Sequence, residues 1–139
     1  TAAVESDFKA IKQVGGGPAL SFWQMEPATI RDAWERMDSR LRRIILNMMP
    51  SQSDWSVQSL ESQIPGNLYL ACAMCRLIYW LKPFQLPRSV KLVGNQASDA
   101  EARVFGEIWK HHYNTTQGAG TVEGFVEAWK RHHLSDLWS

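Results

Sequence analysis

The segment Leu68–Leu81 is apolar on nearly every side, with Arg76 as its only charge. Gly66 and Asn67 stand at its start and Pro83 follows it. A helix that is hydrophobic all round has to be covered by other elements. Fourteen residues are too few to cross a bilayer. The segment therefore predicts a central core helix, and the rest of the chain has to wrap it.

The remaining pattern predicts helices. From about Pro27 to Met48, the residues Ile30, Trp34, Met37, Leu41, Ile44, Ile45 and Met48 recur at helical spacing. Pro27 suits a first turn and Pro50 a stop. Arg31, Arg36, Arg40 and Arg43 fall on or near the other side, most simply as a solvated face; contact with a phosphate or a protein partner is the other reading. Ser51–Gln63 reads as a linker holding a short helix. Pro83, Pro87 and Gly94 mark a surface excursion. Ser98 and Glu101 form a capping-box pattern for a helix reaching about His112, with Phe105, Ile108 and Trp109 as its apolar face. Tyr113–Gly118 reads as a turn. Thr121 caps a last helix whose Val122, Phe125, Val126 and Trp129 point inward. Residues 1–9 read as the end of a helix, and Gly15-Gly16-Gly17-Pro18 as an irregular connection. Ala19–Met25 is a short strand or a tight packed loop. The expected fold class is all-α, with at most a small strand element, in one domain over residues 1–139. A chain of 139 residues can bury a core without disulfides or metals.

Charge and composition narrow the function. Fifteen basic and fourteen acidic residues leave a formal charge of +1, which argues against a broad grip on nucleic acid. A mostly neutral polymer such as a glycan remains open, and seven tryptophans fit sugar stacking as well as core packing. Cys72 and Cys75 sit in the apolar helix and read as small core residues rather than a disulfide or a zinc site. Adjacent histidines on a helix diverge by about 100°, so His111-His112 and His132-His133 are poor chelates and read as surface or capping residues. There is no apolar run of 18 or more residues, and no signal peptide is recognised. The sequence opens without Met, inside what reads as a helix.

Three short pieces carry chemistry together: Glu5-Ser6 with Phe8; Gly17-Pro18-Ala19-Leu20-Ser21-Phe22-Trp23-Gln24-Met25-Glu26-Pro27-Ala28-Thr29; and Trp109-Lys110-His111-His112-Tyr113-Asn114. In order and spacing they resemble the soluble lytic transglycosylase family of the lysozyme-like superfamily, in the form found in bacteriophage particles. That family has a Glu-Ser pair at a helix end, a Gly-rich segment ending in Gln and then Pro-x-Thr, and a later Tyr-Asn motif. The resemblance spans Glu5 to about Trp129.

It implies a lysozyme-like domain, its N-terminal helix truncated here, that cleaves the MurNAc–GlcNAc bond of peptidoglycan without cofactor or metal. Glu5 would be the single catalytic acid, its pKa raised by apolar surroundings; two-carboxylate hydrolases need a second acid across the sugar. Ser6 would support Glu5, and Gln24 would bond the sugar or its N-acetyl group. Tyr113 would position substrate near the carboxyl, and Asn114 would hold that turn. The Gly15–Gly17 stretch would let backbone approach the cleft. Glu26 is a rival acid, read first as a carboxylate at a helix N-terminus, and Asp7 reads as solvated. The bland alternatives are a Gln24 amide tying down its loop, and core packing for Trp23 and Trp109. The chain departs from the family at Ser21, where Gly is usual, at Trp23, where Met is usual, and at Thr115-Thr116. The implied setting is a phage virion, as a tail, internal or ejection protein acting on the host periplasm or cell wall, with glycan strands and other virion proteins as partners. The second expectation is a structural virion protein that keeps this fold without turnover.

Overall fold

In the computed structural model, the described residues are 1–13, 15–51, 54, 56–84, 86, 95–114 and 118–138, without the side chains of 95–98 and 137–138. The architecture is mostly helical, as the periodicity predicts, and the β content among these residues is two isolated bridges, Lys12 with Leu20 and Leu20 with Met25. No helix among them is long and apolar enough to cross a membrane. The chain divides into two compact units: Val4–Pro83 with Ala2, and Phe84–Ser139 with Thr1 and Ala3.

The first unit holds α1 (Ala2–Ser6), α2 (Pro27–Arg36), α3 (Ser39–Leu46), α4 (Val57–Gln63) and α5 (Leu68–Trp80). Asn67 starts α5 as its N-cap, its side-chain oxygen accepting from Leu70 N–H at 3.0 Å. α5 packs on α2 and α3 and buries Leu70, Ala71, Met74, Cys75, Leu77, Ile78 and Tyr79. Burying each large side chain of this kind is worth roughly 1.5–3 kcal/mol. The expectation of burial all round is corrected, because Leu68, Tyr69, Cys72, Arg76 and Trp80 form an exposed stripe along the helix. Cys72 is therefore a surface residue, and of the two thiols only Cys75 is buried.

The single helix expected over Pro27–Met48 is two helices. Met37 and Asp38 are extended. The Asp38 carboxylate accepts from Leu41 N–H at 2.8 Å and so starts α3. Arg42 reaches back to donate to the carbonyls of Trp34 and Glu35, both at 3.1 Å, two of the acceptors that the end of α2 leaves open. The break resets the phase of the apolar face. Ile30, Met37 and Ile45 are buried, Trp34 and Leu41 are half-buried, and Ile44 and Met48 are exposed. Arg31, Arg36, Arg40 and Arg43 are exposed, as expected of a solvated face, and two of them make specific contacts. Arg31 is bidentate to Glu61, at 2.7 and 3.1 Å, which raises its already high pKa. Arg36 donates to Leu81 O, beyond the end of α5, at 2.5 Å. The linker helix α4 is capped by Ser56 and buries Leu60.

The second unit holds α6 (Asn95–Trp109), a π-helical turn (Lys110–Asn114), α7 (Val122–Arg131) and a 3-10 turn (Leu134–Trp138). α6 starts three residues before Ser98, so Ser98 lies inside the helix and is not its N-cap; Pro87 and Gly94 lie outside the described residues. Thr121 caps α7 as expected, accepting from Gly124 N–H at 3.0 Å. α6 and α7 pack together around Trp109, Phe125 and Trp129, with Phe105 stacked on Trp129 at 5.6 Å.

Candidate active site

α1 ends at Ser6 because the next two residues leave the right-handed region: Asp7 has φ 53° and Phe8 φ 55°. Lys9 N–H closes the turn on Ser6 O at 2.9 Å. Asp7 is half-buried and pairs with the Lys9 ammonium, which corrects its reading as merely solvated. Glu5 is half-buried in the last turn of this short helix. The Ser6 hydroxyl donates to Phe22 O at 2.8 Å, with Ala2 O 3.3 Å away as a second acceptor. Ser6 thus fastens the Glu5 end of α1 to the loop that carries Gln24.

That loop joins two facing residues. Leu20 and Met25 exchange backbone hydrogen bonds, both 2.9 Å, around Ser21-Phe22-Trp23-Gln24. Ser21 is fully buried; its N–H donates to Ile11 O at 2.8 Å and its hydroxyl accepts from Trp23 N–H at 3.3 Å. Both ends of the loop are left-handed, with φ 61° at Ser21 and 48° at Gln24. Each such non-glycine residue costs about 1–2 kcal/mol. The Gln24 amide spends its two protons on Ala10 O at 3.1 Å and Ser21 O at 2.8 Å, so the loop-tying role weighed for it is the one it fills. Its Oε1 accepts from no described residue. Phe22 meets Phe8 edge-on at 6.4 Å and Trp23 at 6.4 Å. Phe8 is exposed, and Phe22 and Trp23 are half-buried, so Trp23 is not the core residue its type suggested.

Glu26 is exposed and occupies the N-cap position of α2, without a side-chain capping bond. The turn upstream needs glycine for its backbone: Gly15 and Gly16 have φ 89° and 82°, and an added Cβ would meet nothing within 4 Å. Conformation, rather than close approach, accounts for these two.

Tyr113 and Asn114 belong to the second unit, in the π-helical turn that continues α6. Both are half-buried. Lys110 Nζ donates to Asn114 Oδ1 at 3.0 Å and to Gly118 O at 2.6 Å. A Cβ at Gly118 would lie 2.3 Å from Asn114 O. The turn-holding role expected of Asn114 thus has a local basis; Thr115, Thr116 and Gln117 lie outside the described residues. His112 stacks on Phe84 at 3.8 Å, while His111 is exposed near Glu107. Among the described residues, no three His, Cys, Asp or Glu side chains are grouped as a metal would require.

The structure brings Glu5, Ser6 and the Ser21–Gln24 loop together within one unit. The sequence pattern groups Phe8 with Glu5-Ser6 and Phe22 with the Gln24 segment; it does not show the Ser6–Phe22 hydrogen bond that joins the two, because neither irregular segment has a period to read. No protein-family model matches the chain, and neither a curated protein nor a solved structure is similar to it.

Proposed function

We propose that this protein is a peptidoglycan lytic transglycosylase with a lysozyme-like fold and Glu5 as its acid and base. The observation that carries the reading is the Ser6–Phe22 hydrogen bond. It holds the half-buried Glu5 end of α1 against a loop that, with the turn after Ser6, contains four left-handed non-glycine residues. Backbone strain of this kind persists where surroundings enforce it, and it gathers at functional sites.

In this reading the Glu5 carboxylic acid gives its proton to the glycosidic oxygen as the bond from that oxygen to C1 of the muramic acid breaks. The resulting carboxylate takes the proton of the C6 hydroxyl while the C6 oxygen bonds to C1, closing a 1,6-anhydro ring. Phe8, Phe22 and Trp23 offer ring faces and edges for sugar contact. Tyr113 and Asn114 belong to the other unit, and the parts given to them in positioning substrate rest on the resemblance alone. The proposed setting is a phage virion that opens the host wall, with glycan strands and other virion proteins as partners.

A second reading, a virion protein that keeps the fold without turnover, is favoured by one observation. Both protons of the Gln24 amide are already spent on backbone carbonyls, leaving only its oxygen for a sugar.

Digestion of purified sacculi by the protein and by Glu5→Gln, with products read by mass spectrometry, tests the proposal. Anhydro-muropeptides released by the parent alone support it. Reducing-end products would shift the mechanism to hydrolysis and attention to Glu26. No release by a folded parent would favour the second reading.

A further inference from the structure

The exposed face of α3 and α5 is a different surface, and its chemistry is one-sided. Five of the large apolar side chains exposed in this unit lie on it or at its edge: Ile44, Met48, Leu68, Tyr69 and Trp80. Tyr69 is 87% exposed and Trp80 64% exposed. They stand eleven positions apart on α5, about 16 Å along its axis.

The two helices lie side by side in opposite directions. Asn67 Nδ2, before α5, donates to Met48 O, just past α3, at 2.8 Å. At the other end, Arg36, just before α3, donates to Leu81 O, just past α5. Arg40 and Arg43 are exposed on α3 and pair with no described residue; Arg76 on α5 lies over the Trp80 ring at 5.6 Å. Neither helix contains a carboxylate.

We propose that this face binds the surface of an anionic phospholipid bilayer. Aliphatic side chains with a Tyr and a Trp suit the zone between headgroups and acyl chains, where amphipathic rings settle. The unpaired guanidiniums suit lipid phosphates, and attraction to an anionic leaflet adds to apolar burial. A second copy of the chain is the poorer occupant: setting this face on itself would oppose cationic surfaces with no acid on either helix to offset them. An acidic protein groove would have to be shaped around a Tyr that projects almost wholly into solvent, whereas a fluid bilayer needs no such fit. This inference does not depend on Glu5 chemistry.

Flotation of the protein with phosphatidylglycerol-containing vesicles, against vesicles of phosphatidylcholine alone, tests it. The protein is expected to float with the anionic vesicles at low salt and to lose that binding as salt rises. Arg40→Glu with Arg43→Glu, and separately Tyr69→Ser with Trp80→Ser, should each weaken partition on the order of tenfold or more. All four positions are exposed, and circular dichroism checks that the variants fold. Cys72 lies on the same stripe, while Cys75 is buried, so a polarity-sensitive dye on Cys72 should shift to the blue with anionic vesicles even where a variant is lost. Absence of flotation and dye shift by the parent would overturn the proposal. So would undiminished binding by both folded variants, or a dimer in sedimentation that the variants dissolve while vesicles are ignored.

Discussion

Ser21 shows how much a single residue can hold. It is fully buried and left-handed at the position where the resembled family usually has Gly. Ser21→Gly would remove the steric cost of φ 61° but give up the bond from Trp23 N–H. Ser21→Ala would give up the same bond and keep the strain. The glycine variant should therefore be more stable than the alanine variant by about 1 kcal/mol, read as a difference in urea midpoints; equal midpoints would mean that the loop relaxes its φ. Ser6→Ala should cost about 1 kcal/mol and, under the proposed function, slow sacculus digestion by more than that loss of stability explains. Glu5-Ser6 as a helix end, Thr121 as a cap and Asn67 as a helix start were legible in the sequence, because each acts through its immediate neighbours. The Gln24 bonds to Ala10 and Ser21 were not, since they depend on two irregular segments coming together and neither has a period to read.

At the scale of elements, the largest departure from the sequence pattern is the break between α2 and α3. An unbroken apolar period suggested one helix, but Asp38 is a good N-cap and Arg42 satisfies carbonyls on the other side of the gap. Asp38→Ala should cost about 1 kcal/mol in thermal or urea unfolding, whereas an unchanged midpoint would mean that the cap contributes nothing. In the other unit, Gly106 sets how closely α6 approaches α7: a Cβ there would lie 3.1 Å from Val122 Cγ1 and 3.3 Å from Phe125. Gly106→Ala gains about 1 kcal/mol of helix propensity against about 1–3 kcal/mol for overpacking. Phe125 is held between Trp109 and Trp129 and has little room to yield, so net destabilisation is expected. The same pair of helices is joined at the surface by Arg103 and Glu123 at 3.0 Å, and the hydrogen bond from Arg103 holds the Glu123 carboxyl below its usual range. Its contribution is present above the unfolded carboxyl pKa, about 4.3, and is lost as pH falls through the lower folded value. Glu123→Gln should therefore narrow its stability gap to the parent in acid. A gap independent of pH would assign the loss to packing.

For the whole molecule, the near-zero net charge hides an uneven distribution, with α3 and α5 carrying arginines and no acids. Net charge was legible from composition, but its sorting onto one face depends on which side of each helix is buried. The mostly helical class was legible for the reason the caps were: period and punctuation are local. That part of α5 would stay exposed was not, because a sequence uniform around a helix cannot show which side its neighbours cover. Under the proposed function, Glu5→Gln is expected to lower sacculus turnover by about 10²–10⁴-fold, more than any accompanying change in thermal unfolding explains. A small loss would mean that Glu5 is not the acid.

The π-helical turn at Lys110–Asn114 also sets a reading phase. Each turn of such a helix carries an extra residue compared with an α-helix, as a single inserted codon would leave behind. Excising His111, which is exposed, should let the ladder of α6 continue unbroken. Tyr113 and Asn114 would then each stand one position closer to Lys110, Asn114 at an i,i+3 spacing that still faces it, while the phase of Tyr113 would change. Length at this point, more than the identity of any one residue, would then decide where Tyr113 points.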